Sequence, residues 1–321
     1  MTTLTRRIVV GVVLGVLVVA GLMAYSDGKE LSQAWQEFDP SVIAAILGLV
    51  CLGYGFRIAK WHLYLQQLNI ALPLMESITV FLAGLVMSVT PAKVGEVLKS
   101  FLLRESRDIP VAQTAPVVVG ERLTDLLALI LLASWGAAMN DHGTGVIIGA
   151  SIFTLGLLGL LASNTASTWV IDRIESLPFA GRLAPKLREA YRSMTRLIGL
   201  RTLLVTTVLS VLAWGGEGVA FWLLLDAFPG TSASLQSAVF IFSFATLAGA
   251  LTMLPGGLLA TEASMIALLF TVFQLTPSEG VATSATLIIR FCTLWFAVLL
   301  GVCALTMYRW RYIAPSTPQS D

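Results

Sequence analysis

The chain is poor in charge, in cysteine and in histidine, and each shortage excludes something. Only 12% of its 321 residues are charged, against 56% hydrophobic, and the mean hydropathy is +0.84. A water-soluble domain covers its surface with about a quarter charged residues, so the main solvent here is lipid. The formal net charge of +1 leaves no basic stripe for nucleic acid, and no nucleic-acid partner is expected. Cys51, Cys292 and Cys303 sit inside apolar runs without metal-ligand spacing and read as small packing residues. The two histidines, His62 and His142, are isolated. Gly-x-Ser-x-Gly, His-Glu-x-x-His and phosphate-loop patterns are all missing. Without a usable histidine, catalysis would have to run on carboxylates and lysines alone, so no enzyme activity, cofactor or metal is expected.

Long apolar runs are plentiful. A spanning helix needs ~20 predominantly apolar residues, and residues 8–25, 42–58, 126–139 with the preceding turn, 146–162, 202–225 and 283–308 qualify. The first comes after Arg6-Arg7 and exceeds the usual ~7–15-residue signal core, so an uncleaved transmembrane helix is expected. Runs 74–90 and 235–253 each stop at a proline. The segments beyond those prolines are short: as helices, 96–103 and 262–273 would rise only ~12 and ~18 Å, against ~30 Å of hydrocarbon. Both read as returning arms of re-entrant hairpins, 74–103 and 235–273.

Basic residues orient the chain. Arg6 and Arg7 place the N-terminus in the cytoplasm, and Arg309 and Arg311 the C-terminus. The basic segment 172–201 is also cytoplasmic; its apolar positions from Leu183 to Ile198 recur at helical spacing. It reads either as an amphipathic helix on the membrane surface or as a connector that fixes topology. These assignments close only if hairpin 74–103 opens to the cytoplasm and hairpin 235–273 to the outside. The expected fold is therefore all-α and polytopic, a single transmembrane domain with two inverted-topology repeats. Residues 1–40 carry the first helix and outer loop, 41–140 the first repeat, 141–201 the connection and 202–321 the second repeat.

The repeats carry matching chemistry. The first has Pro91, Lys93, Gly95 and Glu96, then Lys99, then Glu121-Arg122-x-x-Asp125; the second has Pro255-Gly256-Gly257, Glu262, then Arg290. Proline and glycine end a helix and leave backbone groups unpaired. In hydrocarbon such groups are tolerated only inside protein or beside a water-filled cavity, and paired interruptions in two halves mark a transporter binding site. A central charge costs ~2.5–3.5 kcal/mol on insertion scales, so Glu96, Glu217, Glu262 and Arg290 need partners. Those partners either serve only to hold the hairpins, by pairing Glu96 and Glu262 with Arg122 or Arg290, or belong to a substrate site. Arg57 and Lys60 beside Trp61 read as interface anchors, Glu121 and Asp125 as lying near the cytoplasmic interface, and the glycines around Glu217 as a packing face.

These motifs resemble the flippase-like transmembrane region of lysylphosphatidylglycerol synthases, over nearly the whole chain from the second helix onward. Members usually show Pro-x-Arg-x-Gly-Glu, where this chain has Lys93; Lys99 stands where arginine is common, and Leu259 where glycine is usual. The resemblance implies translocation of a phospholipid or polyprenyl-phosphate-linked glycolipid between leaflets of a bacterial or archaeal plasma membrane. The chain ends at Asp321 soon after its last helix, so it is not expected to make lysylphosphatidylglycerol itself. Lys93, Lys99, Arg122 and Arg290 would attract the head-group phosphate, with Glu96, Glu217 and Glu262 lining or gating the path. Membrane lipids are the expected partners, with lipid-pathway enzymes and a second copy of the chain as further ones. A small-solute or ion transporter and an intramembrane lipid-modifying transferase are the alternatives.

Overall fold

The computed structural model describes residues 38–90, 96–138 and 199–312 continuously, and residues 17, 18, 20, 21, 32, 35, 36, 149, 152 and 197 singly. The expected helices 8–25 and 146–162, the basic segment 172–201 up to Gly199, and Pro91, Lys93 and Gly95 lie outside the described residues, apart from those single positions. Among the described residues every regular element is helical. In order they are α1 (Val42–Gln67), α2 (Leu74–Gly84) with a 3₁₀ turn (Leu85–Met87), α3 (Leu98–Arg107) and α4 (Val111–Ala137). Then come α5 (Leu200–Asp226), α6 (Leu235–Leu251), a 3₁₀ turn (Pro255–Gly257), α7 (Ala260–Ile266) running into a π turn (Ala267–Val272), and α8 (Glu279–Arg290). A second π turn (Phe291–Trp295) leads into α9 (Phe296–Tyr312).

Four described segments are long and apolar enough to cross a membrane: Val42–Gln67, Leu200–Asp226, Pro255–Val272 and Glu279–Tyr312. The third qualifies only by joining the Pro255–Gly257 turn to α7 across a kink at Gly256. One expectation needs correction. The apolar run beginning at Leu126 is the second half of a 27-residue helix that starts at Val111. Glu121, Arg122 and Asp125 depress the hydropathy of its first half, yet all three are paired inside the protein, so the helix runs through them.

Local chemistry explains the ends. Ser234 and Ser278 cap α6 and α8, each side-chain oxygen accepting a hydrogen bond from the backbone N–H three residues on. Before α1, the Asp39 carboxylate accepts from the Ser41 backbone N–H at 2.9 Å, which lowers its pKa below the ordinary value. In the second break Gly256 and Gly257 take φ of 62° and 65°, a region open to glycine. Leu259 comes next but one at φ 71°, ψ −51°, the φ-positive γ-turn region in which a branched side chain is strained. A glycine at this position would adopt the same backbone without that strain. Leu259 is 56% exposed, so little packing would be lost on removing it. Leu259→Gly is expected to raise stability by about 1 kcal/mol, read as a higher unfolding midpoint in detergent.

The long helices cross-brace two short units, α2 with α3 and α6 with α7. α1 packs along α5, α4 along α6, and α9 along α2. Arg107, in the last turn of α3, donates from Nε and Nη2 to Glu76 Oε1 and Oε2, in the first turn of α2, at 3.0 and 2.5 Å. The Ser232 N–H, before α6, donates to the Leu275 carbonyl, after α7, at 3.0 Å. The opposite ends approach one another: a Cβ on Gly256 would lie 3.6 Å from Val89 Cα, and Val89 clusters with Leu258, Leu294 and Val298. Two larger apolar clusters flank this point, one around Trp214, Phe221, Phe242 and Met265, the other around Trp61, Tyr64 and Tyr308.

Candidate functional site

On α1, Tyr54, Arg57, Lys60 and Tyr64 recur every three to four residues and share one face. That face turns inward. Arg57 Nη2 donates to Glu217 Oε1 on α5 at 2.6 Å, and its guanidinium lies 4.3 Å from the Trp214 ring centroid. Beside Glu217, Gly216 faces the Leu49 carbonyl of α1 and Gly218 lies against Val239 of α6. Lys60 Nζ donates to Asp125 Oδ1 at 2.6 Å and to Ser210 Oγ at 2.7 Å. The expectation that Arg57, Lys60 and Trp61 anchor at the interface therefore fails: Lys60 and Trp61 are fully buried, because α4 and α5 supply the carboxylates and hydroxyl that water would otherwise provide.

The first unit adds a denser group. Lys99 Nζ donates to Glu121 Oε2 at 2.5 Å, with Glu96 Oε2 at 3.9 Å, and sits 4.6 Å from the Trp61 ring centroid. Arg122 Nη2 reaches Glu96 Oε2 at 3.2 Å and Asp125 Oδ2 at 3.1 Å. Glu121 and Asp125 are buried, with cationic partners supplied by α1 and α3. The second unit is simpler. Arg290 Nε donates to Glu262 Oε1 at 2.6 Å, and its Nη2 to the Gly256 carbonyl at 2.6 Å. The break thus supplies a backbone acceptor that fixes the guanidinium. Glu262 Oε2 is buried and accepts no hydrogen bond from any described residue. Each Glu therefore pairs with the Arg of its own half, Glu96 with Arg122 and Glu262 with Arg290.

These pairs surround a cavity of about 340 Å³, lined by Glu96, Arg122 and Asp125 from one half, by Glu217, Gly256, Gly257 and Arg290 from the other, and by Arg57. Tyr54, Phe81, Trp214 and Phe242 supply aromatic walls, and Ser88, Thr90, Thr246, Thr261 and Thr293 supply hydroxyls. The π turn after Arg290 leaves the Thr293 carbonyl free to accept from the Tyr54 hydroxyl at 3.1 Å. The rim is apolar: Leu251 and Leu254 line the cavity while being 76% and 41% exposed.

Of the residues singled out in the sequence, Glu96, Arg122, Glu217, Gly256, Gly257 and Arg290 line the cavity, and Glu262 stands behind Arg290. Lys99 does not reach it, being enclosed by Glu121, Trp61 and Phe81, and Pro255 belongs to the turn. Arg57, Lys60, Glu121 and Asp125 were missed as site residues; the inward stripe on α1 and the Glu-Arg-x-x-Asp cluster were the available signals. Among the described residues Arg57, Lys60, Lys99, Arg122 and Arg290 face Glu96, Glu121, Asp125, Glu217 and Glu262, so formal charge balances across these ten side chains. Balance of this kind makes ionised groups tolerable in a low-dielectric interior. Among the described residues no group of histidine, cysteine or carboxylate side chains is suited to hold a metal ion.

Comparison with known proteins agrees with this architecture. A UPF0104 membrane protein of Methanothermobacter thermautotrophicus is 22% identical over 92% of this chain and 94% of its own length. The glycosyltransferase AglD of Haloferax volcanii is 23% identical over 88% of this chain, which spans only 52% of AglD. The model of the lysylphosphatidylglycerol synthase TM region matches residues 12–301. With apolar helices long enough to span lipid and a match across nearly its whole length, the chain is a multi-pass membrane protein that belongs to the lysylphosphatidylglycerol synthase TM-region family.

Proposed function

We propose that the protein carries a phosphate-bearing lipid between the leaflets of a bacterial or archaeal plasma membrane, with both termini cytoplasmic, and performs no covalent chemistry of its own. The two short units act as opposed re-entrant hairpins in inverted repeats. The Glu76–Arg107 pair and the Ser232–Leu275 hydrogen bond support this, since each draws together the two ends of one unit. The close approach of Gly256 to Val89 supports tips that meet.

One observation carries the choice of a lipid cargo. The cavity is ionic within and apolar at its exposed rim, where Leu251 and Leu254 stand. A head group would exchange into the polar interior while its acyl or prenyl chains stay among the exposed leucines in lipid. A carrier of small solutes needs no apolar mouth. The family name, which joins such a region to a synthase of an aminoacylated phospholipid, and the glycosyltransferase named among the relatives both suit a lipid-linked cargo and lipid-pathway enzymes as partners. Arg122 and Arg290 would meet the phosphate, each released in part from its carboxylate, and rocking of one repeat against the other would expose the site to each leaflet in turn.

The test is leaflet exchange of fluorescent phosphatidylglycerol in proteoliposomes. Glu96→Gln and Glu262→Gln are each expected to slow exchange by about tenfold or more, the equivalent of ~1.4 kcal/mol of barrier. Exchange at the wild-type rate in both variants would show the site to be misassigned. Covalent turnover of the lipid by purified protein would favour the transferase instead.

A further inference from the structure

The cavity holds matched charge and one free carboxylate oxygen. Among the described residues its lining carries three guanidiniums, Arg57, Arg122 and Arg290, and three carboxylates, Glu96, Asp125 and Glu217. Asp125 uses both oxygens, Oδ1 on Lys60 and Ser210 and Oδ2 on Arg122. Glu217 does not. Its Oε1 accepts from Arg57 Nη2 at 2.6 Å, while its Oε2 accepts no hydrogen bond from a described residue and, unlike Glu262 Oε2, keeps accessible surface. The Glu217 side chain is only 4% exposed and lines the cavity, so this oxygen meets what enters there. Aromatic side chains stand beside it: Trp214 one turn earlier on α5, and Phe242 with its ring centroid 6.4 Å from that of Trp214. Aromatic faces attract cations. Arg122 and Arg290 engage their carboxylates through other atoms, and each leaves Nη1 with no hydrogen-bond partner among the described residues.

We infer that the cargo head group is a zwitterion, a phosphodiester bearing one primary ammonium as in phosphatidylethanolamine. Its ammonium donates to Glu217 Oε2, and its phosphate takes the free Nη1 atoms of Arg122 and Arg290. The inference rests on the lipid cargo proposed above and narrows it. Charge decides between head groups. A net charge entering a low-dielectric interior is costly unless an opposite charge meets it, and each lining guanidinium is already matched by a carboxylate. A net anion would leave the loaded cavity negative and a net cation would leave it positive; a zwitterion keeps it balanced. Hydrogen bonding decides the form of the cation. Glu217 Oε2 needs an N–H donor, which a primary ammonium supplies and the quaternary ammonium of phosphatidylcholine lacks. Hydrogen bonds between ionised groups are the strong ones. Size agrees: the cavity, at about 340 Å³, lies near the lower end of the ~300–1,000 Å³ usual for ligand sites, which suits a head group of so few atoms.

The experiment follows leaflet exchange of acyl-labelled lipids by full-length protein in phosphatidylcholine vesicles, with phosphatidylethanolamine and phosphatidylglycerol compared in the same preparation. Wild type is expected to exchange phosphatidylethanolamine about tenfold faster, the worth of one hydrogen bond to a charged group. Glu217→Gln leaves the lining with one guanidinium in excess and is expected to reverse the preference, whereas a purely structural Glu217 would slow both lipids alike. The double variant Arg57→Gln, Glu217→Gln strands no buried charge; it is expected to fold like wild type and to bring the two rates together. A wild-type preference that survives in the double variant would overturn the assignment to Glu217. Equal rates in wild type, or faster phosphatidylglycerol, would overturn the zwitterion and leave the lipid carrier standing. So would lysyl-phosphatidylglycerol, a net cation, crossing as fast as phosphatidylethanolamine. Exchange of none of these lipids would overturn both readings. Uptake of water-soluble phosphoethanolamine as fast as the lipid would make the free head group the cargo and overturn the restriction to lipid.

Discussion

Arg290→Ala is expected to reduce lipid exchange by about a hundredfold or more and to lower stability as well. The guanidinium is held at two points, Glu262 Oε1 and the Gly256 carbonyl, each at 2.6 Å. Its loss leaves a buried carboxylate with no partner and a break whose carbonyl is unsatisfied. Removing one member of a buried ion pair costs about 3–5 kcal/mol. The same amount taken from a transport step is roughly a hundred- to a thousandfold or more. Two further variants separate folding from transport. The double variant Glu262→Gln, Arg290→Gln removes the stranded charge and is expected to recover much of the unfolding midpoint while exchange stays lost. Arg290→Lys keeps the charge but not the fork that reaches both acceptors, and is expected to fall between wild type and alanine. Exchange at wild-type rate in the double variant would show that the pair merely holds the break in place.

The second large effect is steric. Gly301 of α9 faces the 3₁₀ turn after α2, and a Cβ placed there would run into the backbone at Val86 N and Leu85 C. Backbone cannot rotate aside as a side chain can, so Gly301→Leu must push α9 off the tip of the first unit. Overpacking of this kind costs about 1–3 kcal/mol and more for a large side chain. The thermal midpoint in detergent is expected to drop by several degrees and, because the tip carries Val89 toward the Gly256 break, exchange should fall with it. Gly48→Ala and Gly55→Ala on α1 are the controls. A Cβ at either position meets nothing within 4 Å, so both are expected to stay near wild type.

Much of the helical outline was legible because its causes are local. Each apolar run among the described residues became a helix, the Pro255-Gly256-Gly257 break formed where proline and two glycines stand together, and Glu96 and Glu262 fell at the starts of short helices. The boundary before α4 was missed because a hydropathy argument treats charge as evidence against a membrane helix, whereas Glu121, Arg122 and Asp125 are neutralised by Lys99, Glu96 and Lys60. Arg57 and Lys60 were read as interface anchors for a related reason. Lysine and arginine close to the end of an apolar run serve equally well reaching out to water or inward to a carboxylate, and α1 by itself offers no clue to which.

By itself, then, the amino-acid sequence determined lipid as the solvent, the helices among the described residues with the break at Pro255-Gly256-Gly257, the doubled Glu-then-Arg order and the family. All of these arise from composition and from neighbours within a few turns. Only the tertiary structure decided which carboxylate holds which cation, that Lys99 is sealed away from the cavity while Arg57 lines it, and that the cavity mouth is apolar. Those outcomes rest on contacts between residues as far apart as Arg57 and Glu217, which are separated by 160 positions. In a helix flanked by lipid on one side and protein on the other, both faces are apolar. The hydrophobic stripe that would announce the inner face of a soluble helix is missing, and the inner face is revealed only when the partner charges arrive.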